Sequence, residues 1–313
     1  MAFNMEILWI LALAFCIDLV LGDPPDIIHP VAWMGKAISL LERGGLRLRP
    51  IWQFVYGMMM TLLTAALFVT PVYFLLNYLQ GWNQIAYIIV SGVLLKLMFS
   101  IRGLWHSAVK IKQLLKEDNL EKTRFELRAL VNRDTRNLDK SLMASAATES
   151  VAEGVGDSVI APLFYFLLLG VPGAIGYRVV NTLDSMLGYH GKYEYLGKFC
   201  ARFDDVLNFI PARLAALVIL IAAAMKKRGR STWSTAMREH VKTESPNAGW
   251  PMAAIAGALD VRLEKPGHYV LGEGNPAPSL ETIGRALNIF LIAVATWIVI
   301  CFIAGGIRIA VTA

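Results

Sequence analysis

Glu149 and Glu153 stand four residues apart in "ATESVAEGVGDSVIAP" (147–162), and Asp157 follows after four more. That spacing puts both glutamates on one face of a helix, which Gly154 and Gly156 then loosen. Like charges so placed destabilise a bare helix by about 0.2–0.5 kcal/mol. Acids converging in this way suit a divalent cation that prefers oxygen ligands, as magnesium does. The plainer alternative is a solvated helix face.

Three further stretches concentrate polar groups. "YRVVNTLDSMLGY" (177–189) sets Arg178, Asn181, Asp184 and Ser185 on one helical face opposite Val, Leu and Met. Asn and Ser are modest helix formers, so this stripe reads as a lining rather than as solvated surface. "RFDDVLNFIPAR" (202–213) has adjacent Asp204 and Asp205, with Asn208 one turn on and Arg213 at the mouth of an apolar run. A charge there is costly unless it is paired or held at an interface. "NRDTRNLD" (132–139) offers Arg133 and Arg136 as guanidinium forks for phosphate, or Asp134–Thr135 as the cap of a helix beginning near Leu138.

Two proline-bound loops complete the set. In "LGDPPDIIHP" (21–30), Asp23 and His29 each precede a proline, which stiffens a carboxylate and an imidazole. In "REHVKTESPNAGWP" (238–251), Ser245 and Trp250 precede prolines on either side of Asn247, a backbone with little entropy left to lose on binding. His240 lies just before this loop. Either loop could instead be a plain connection between helices.

The elements that must position these groups are apolar. Of the 313 residues, 56% are hydrophobic and 17% charged, against roughly 45–50% and 25% in ordinary soluble domains. The pattern predicts an all-α, polytopic integral membrane protein of one domain (1–313). Spans are expected at about 5–21, 54–78, 84–101 and 286–307. Shorter segments at 159–176 and 209–225, with Pro162, Pro172 and Pro211, either cross, re-enter or lie buried in the bundle. Leucines at helical spacing in 105–153 predict a soluble amphipathic extension broken near "EDN" at 117–119. No strand alternation or internal repeat is seen.

Lys and Arg crowd 22–52, 102–140 and 226–230, while the 78–84 turn has none, so the large loops are expected in the cytoplasm and the N-terminus outside. The first segment has no basic n-region and reads as an uncleaved span. The net charge of +6 fits that membrane bias. Without zinc-finger spacing or an RNP-type motif it does not point to nucleic acid. Cys16, Cys200 and Cys301 suggest neither a disulfide framework nor a zinc site. No Walker A, GxGxxG, HExxH or nucleophile elbow is present.

Taken in order, "LGDP", "RDT", "IAPLFY", "VNTLDSM", "IPAR" and "SPNAGWP" resemble the CobD/CbiB family of cobalamin biosynthesis, from about residue 8 to 305. The resemblance implies an adenosylcobinamide-phosphate synthase. Such an enzyme condenses a propionate carboxylate of adenosylcobyric acid with aminopropanol phosphate, or a related amino alcohol, using ATP and magnesium. Implied partners are the corrinoid, the amino-alcohol phosphate and the lipid bilayer of the cell membrane, with the active site facing the cytoplasm. A homo-oligomer or an assembly with other late membrane enzymes of the pathway stays open.

On that resemblance, Glu149, Glu153 and Asp157 hold the metal, and Asp184, Asp204 and Asp205 take part in catalysis with His29 or His240 moving the proton. Asp23, Arg133, Asp134, Arg178, Asn181, Ser185, Asn208, Arg213, Ser245, Asn247 and Trp250 bind substrate or phosphate, and all these groups are expected in one pocket. The family pattern often has Asn and Gly where this chain has Gly154 and Ser158, and Glu where it has Met252. Rival readings are a transporter, which would place its ionisable groups in mid-membrane, and a membrane sensor of the AmpE kind.

Overall fold

Helix α1 (Glu6–Val20) stops where Gly22 adopts φ 72° and two prolines follow. Proline at the start of a helix forfeits no hydrogen bond, because its missing N–H would have no partner there. Accordingly α2 (Pro30–Gly45) and α3 (Pro50–Trp82) of this computed structural model both begin on one. Asn83 ends α3 and opens α4 (Gln84–Lys96), its side-chain carbonyl accepting the Ala86 N–H at 3.0 Å. The structure describes residues 5–131 and 133–312, so Asn132 of the "NRDTRNLD" motif lies outside the described residues.

The "EDN" break falls between α5 (Arg102–Lys116) and α6 (Leu120–Leu127), where Asp118 takes φ 58° and Asn119 caps α6. Helix α7 (Lys140–Gly154) is capped by Asp139, which accepts the Leu142 N–H at 2.8 Å. The cap considered at Asp134–Thr135 does not form. Asp134 instead pairs with Arg136 on the surface, and Thr135 donates to the Arg124 carbonyl. Helix α7 is buried almost continuously from Met143 to Ala152. A π-helical turn (Val155–Ile160) carries the chain into α8 (Ala161–Leu187).

Helix α8 is not one rod. At Gly170 the backbone takes φ 70°, ψ −166°, a conformation essentially reserved for glycine. The Tyr165 and Tyr177 rings stack with centroids 5.4 Å apart, although twelve residues of straight helix would separate them by about 18 Å. The apolar segment 159–176 therefore folds back on itself.

Helix α9 (Lys198–Met225) follows, then α10 (Gly229–Glu239), a 3₁₀ turn (His240–Lys242) and α11 (Gly249–Leu259). Trp250 and Pro251, read from the sequence as part of a loop, instead form the first turn of α11, where proline is tolerated. A small antiparallel hairpin interrupts the helices: β1 (Leu263–Lys265) pairs with β2 (Tyr269–Leu271), Glu264 opposite Val270. Helix α12 (Leu280–Thr312) closes the chain.

The fold is all-helical apart from that hairpin. Among the described residues, four helical stretches are long and apolar enough to cross a bilayer: Pro50–Trp82, Lys140–Leu187, Lys198–Met225 and Leu280–Val311. They include the segments at 159–176 and 209–225, whereas α1 and α4 are shorter, at 15 and 13 residues.

Contacts divide the chain into two compact units. The first takes residues 1–100, 161–207 and 300–313; the second takes 101–160 and 208–299. Within the first, α1 packs on α4, and α2 and α3 pack on α8. Within the second, α10 packs on α11, and α7 packs against α5 and β1.

Candidate active-site clusters

In the first unit the polar stripe of α8 is tied to its surroundings. Arg178 donates from Nε and Nη2 to the Met98 carbonyl at 2.9 and 2.5 Å, and from Nη1 to Asn181 Oδ1 at 3.1 Å. Asn181 Nδ2 lies 3.5 Å from Asp204 Oδ1, and both residues are buried. The structure thus joins three expected site residues from two motifs. Asp184 is half-buried one turn further along and Ser185 is exposed. Asp205 pairs loosely with Arg202 at 3.5 Å.

Asp23 belongs to a charge cluster whose other members the functional motifs did not single out. Lys96, 1% exposed, places Nζ 2.9 Å from Asp18 and 2.5 Å from Asp23, and Ser100 donates to the second oxygen of Asp23. A lone lysine in an apolar run was the available signal. Burial pushes the Asp23 pKa up, but the hydrogen bonds from Lys96 and Ser100 outweigh it and hold the carboxyl below its ordinary range.

His29 caps α2, with Nδ1 accepting the Val31 N–H at 3.2 Å. Its proton therefore sits on Nε2 and its basic lone pair is engaged. Burial, reinforced by the nearby positive charges of Lys96 and Arg178, lowers its pKa despite Asp23.

In the second unit Glu149 is 5% exposed and both its oxygens are occupied. Ser145 Oγ donates to Oε1 at 2.6 Å, and the Tyr269 hydroxyl donates to Oε2 at 2.9 Å. Ser145 in turn accepts the Glu264 N–H at 2.7 Å, which fastens the hairpin to α7. Burial, then the Glu149 charge, raises the Tyr269 pKa, so its hydroxyl stays protonated. Ser145 and Tyr269 were not anticipated. Ser145 lies one turn before Glu149, a spacing legible in hindsight, while Tyr269 is brought in from 120 residues away.

Arg133 brings Nη2 to 3.3 Å from Glu149 Oε2, yet its buried guanidinium nitrogens make no hydrogen bond among the described residues. Glu153 is exposed and Asp157 lies half-buried in the π turn. Among the described residues no three His, Cys, Asp or Glu side chains form a group fit for a metal ion. As arranged, Glu149, Glu153 and Asp157 do not make a ready ligand set.

The "SPNAGWP" loop closes on α9. Arg213 Nη1 donates to Asn247 Oδ1 at 3.1 Å, and its guanidinium lies over the Phe209 ring at 3.6 Å and 5.1 Å from that of Trp250. His240 stacks on the other ring neighbour of this group, Trp250, at 3.9 Å. Its Nδ1–H donates to the Ala236 carbonyl at 2.9 Å, which leaves Nε2 as the basic nitrogen of the neutral ring. Ser245 Oγ accepts the Asn247 N–H at 3.2 Å and so shapes the turn, and Asn208 is buried on α9. Gly249 is required by close approach, because a Cβ there would collide with the His240 carbonyl.

A family profile described as CobD/Cbib protein matches residues 11–299. The chain belongs to the CobD/CbiB family. It is 56% identical over 297 residues to "Cobalamin biosynthesis protein CobD" of Dehalococcoides mccartyi, covering 95% of this chain and 96% of that one. It is 41% identical to "Probable cobalamin biosynthesis protein CobD" of Methanothermobacter thermautotrophicus, covering 96% and 98%. The Pyrococcus furiosus protein of the same description is 40% identical, covering 93% and 96%. No solved structure matches. CobD/CbiB membership accounts for the ordered motifs on which both clusters are built.

Proposed function

We propose that this CobD/CbiB protein is an adenosylcobinamide-phosphate synthase of cobalamin biosynthesis. It joins adenosylcobyric acid to (R)-1-amino-2-propanol O-phosphate, or a related amino alcohol, at the membrane's cytoplasmic face. A carboxylate is a poor acyl donor, so one of its oxygens first attacks the γ-phosphorus of ATP and ADP leaves. The amine nitrogen then attacks the acyl carbon, inorganic phosphate departs, and the amine's proton passes to a base. Magnesium enters as the complex of the nucleotide phosphates.

The observation that supports this reading most is Arg133, a buried guanidinium held by Glu149 with its donors unspent among the described residues. Such donors in a dry setting call for a ligand oxygen. Arg213, which donates to Asn247 and to the Phe209 carbonyl, is a second cation beside an aromatic ring. Asp184, Asp204 and Asp205 are suited to an ammonium group, and His240 Nε2 is the freer base because His29 spends its lone pair on α2.

The test is direct. Purified protein given adenosylcobyric acid, aminopropanol phosphate, ATP and magnesium should yield adenosylcobinamide phosphate and an equal amount of ADP by mass spectrometry. Folded protein that makes no product overturns the reading, and AMP in place of ADP replaces the acyl phosphate with an acyl adenylate.

A further inference from the structure

Helix α2 carries a second polar surface that the proposed chemistry does not use. Its buried face is Met34, Ile38 and Gly45. On the opposite face Trp33, Lys36, Leu40 and Arg43 follow one another at spacings of three, four and three residues, all exposed. Between this face and Met186 of α8 lies an open groove of about 420 Å³, lined also by Gly35, Lys36, Ser39 and Arg43.

Neither Lys36 nor Arg43 has an acidic partner among the described residues. The one acid of the helix, Glu42, accepts the Tyr193 hydroxyl at 3.0 Å. Two unneutralised cations and a hydroxyl flanking one groove match a phosphate group.

The surroundings say which phosphate. Trp33 donates its indole N–H to the Ile27 carbonyl at 2.8 Å and leaves its ring exposed, beside exposed Ile27 and Ile28. Leu40 is 70% exposed between the two cations. A helix that alternates Trp and Leu with Lys and Arg on its outer face is built to lie in a membrane interface. Five residues beyond its end, α3 begins as a candidate span with Ile51 and Trp52 exposed in its first turn. A soluble phosphate compound would have no use for that apolar rim, whereas a lipid fills both parts at once.

We propose that this face of α2 is a binding site for the phosphate headgroup of an anionic phospholipid. Lys36 and Arg43 bracket the phosphate and Ser39 donates to it. Trp33 and Leu40 lie against the upper acyl chains.

The full chain in mild detergent should be offered equimolar phosphatidylglycerol and phosphatidylcholine of matched chains, and retained lipid counted by native mass spectrometry. Phosphatidylglycerol should win by roughly 30-fold, at about fivefold for each cation. Lys36→Gln with Arg43→Gln should bring the two lipids level, while the charge-preserving pair Lys36→Arg and Arg43→Lys keeps the preference. Should the double variant fail to fold, the single variants carry the test, each losing about fivefold. Equal retention of both lipids by the wild type overturns the proposal, as does an undiminished preference in the glutamine variants. So does full displacement of the lipid by millimolar glycerol phosphate, which would mark a site for a soluble phosphate.

Discussion

The imidazole of His240 lies face to face with the indole of Trp250 at 3.9 Å, while its Nδ1–H is held by the Ala236 carbonyl. Orientation and tautomer are both settled before any substrate arrives, which is what a general base requires. His240→Gln should lower kcat by about 100- to 10,000-fold. A variant with normal turnover would return the proton to another group.

His29 makes the contrasting case. Its pKa is lowered by burial and by Lys96 and Arg178, so the unfolded chain takes up a proton on this ring more readily than the folded one. The stabilising contribution is complete above the unfolded value of about 6.5 and is lost as pH falls below it. His29→Asn keeps an N-cap acceptor. Its melting temperature should therefore match the wild type near pH 8 and fall less steeply towards pH 5, with kcat preserved. A loss of turnover as large as that of His240→Gln would make His29 a participant in the chemistry.

Glu149 holds Arg133 on one side and the hairpin, through Tyr269, on the other. Tyr269→Phe removes a single hydrogen bond to a charged group, worth about 1.5–3 kcal/mol. Because the hydroxyl also positions the carboxylate that faces Arg133, the variant should raise KM for the phosphate-bearing substrate more than it lowers kcat. Glu149→Ala leaves Arg133 buried without its charge partner and should cost about 3–5 kcal/mol. Thermal unfolding in detergent beside steady-state kinetics separates the two effects. A Tyr269→Phe enzyme with unaltered KM would confine Tyr269 to a structural role.

What could be read in advance follows from the range of the forces involved. Helices, the break at 117–119 and the pairing of Arg178 with Asn181 depend on spacings within one helix, and a sequence displays those directly. The link from Asn181 to Asp204 spans 23 residues, and the link from Glu149 to Tyr269 spans 120. Such contacts depend on how helices pack, which local pattern does not encode. Glu149 and Glu153 share the predicted face, yet burial separates their roles: one is enclosed by Ser145, Tyr269 and Arg133, the other faces solvent. Trp250 and Pro251 were placed in a loop because proline disfavours a helical residue before it, but the first turn of a helix escapes most of that restriction.

Lys96 balances two acids, the buried Asp18 and the partly exposed Asp23. Lys96→Met should cost about 3–5 kcal/mol, since it strands the buried Asp18 carboxylate. Adding Asp18→Asn to that variant should recover part of the loss, because the stranded charge is then gone. A melting temperature equal to the wild type in the single variant would show that this cluster is hydrated and contributes little to the fold.

The reversal at Gly170 sets where the polar stripe of Arg178, Asn181 and Asp184 sits, because everything after it depends on the direction the chain takes there. Its φ of 70° with ψ of −166° admits glycine and strains every other residue. A Cβ at Gly173 would in addition lie 2.7 Å from the Tyr165 carbonyl oxygen on the incoming arm. Gly170→Ala should therefore destabilise by about 1–3 kcal/mol, and the strain would be relieved only by opening the turn. Opening it parts the stacked Tyr165 and Tyr177 rings. Loss of turnover should accompany an increase in cysteine-scanning accessibility around Tyr165. If Gly170→Ala melts and turns over like the wild type, the chain passes this point without reversing, and the polar stripe owes its position to something else.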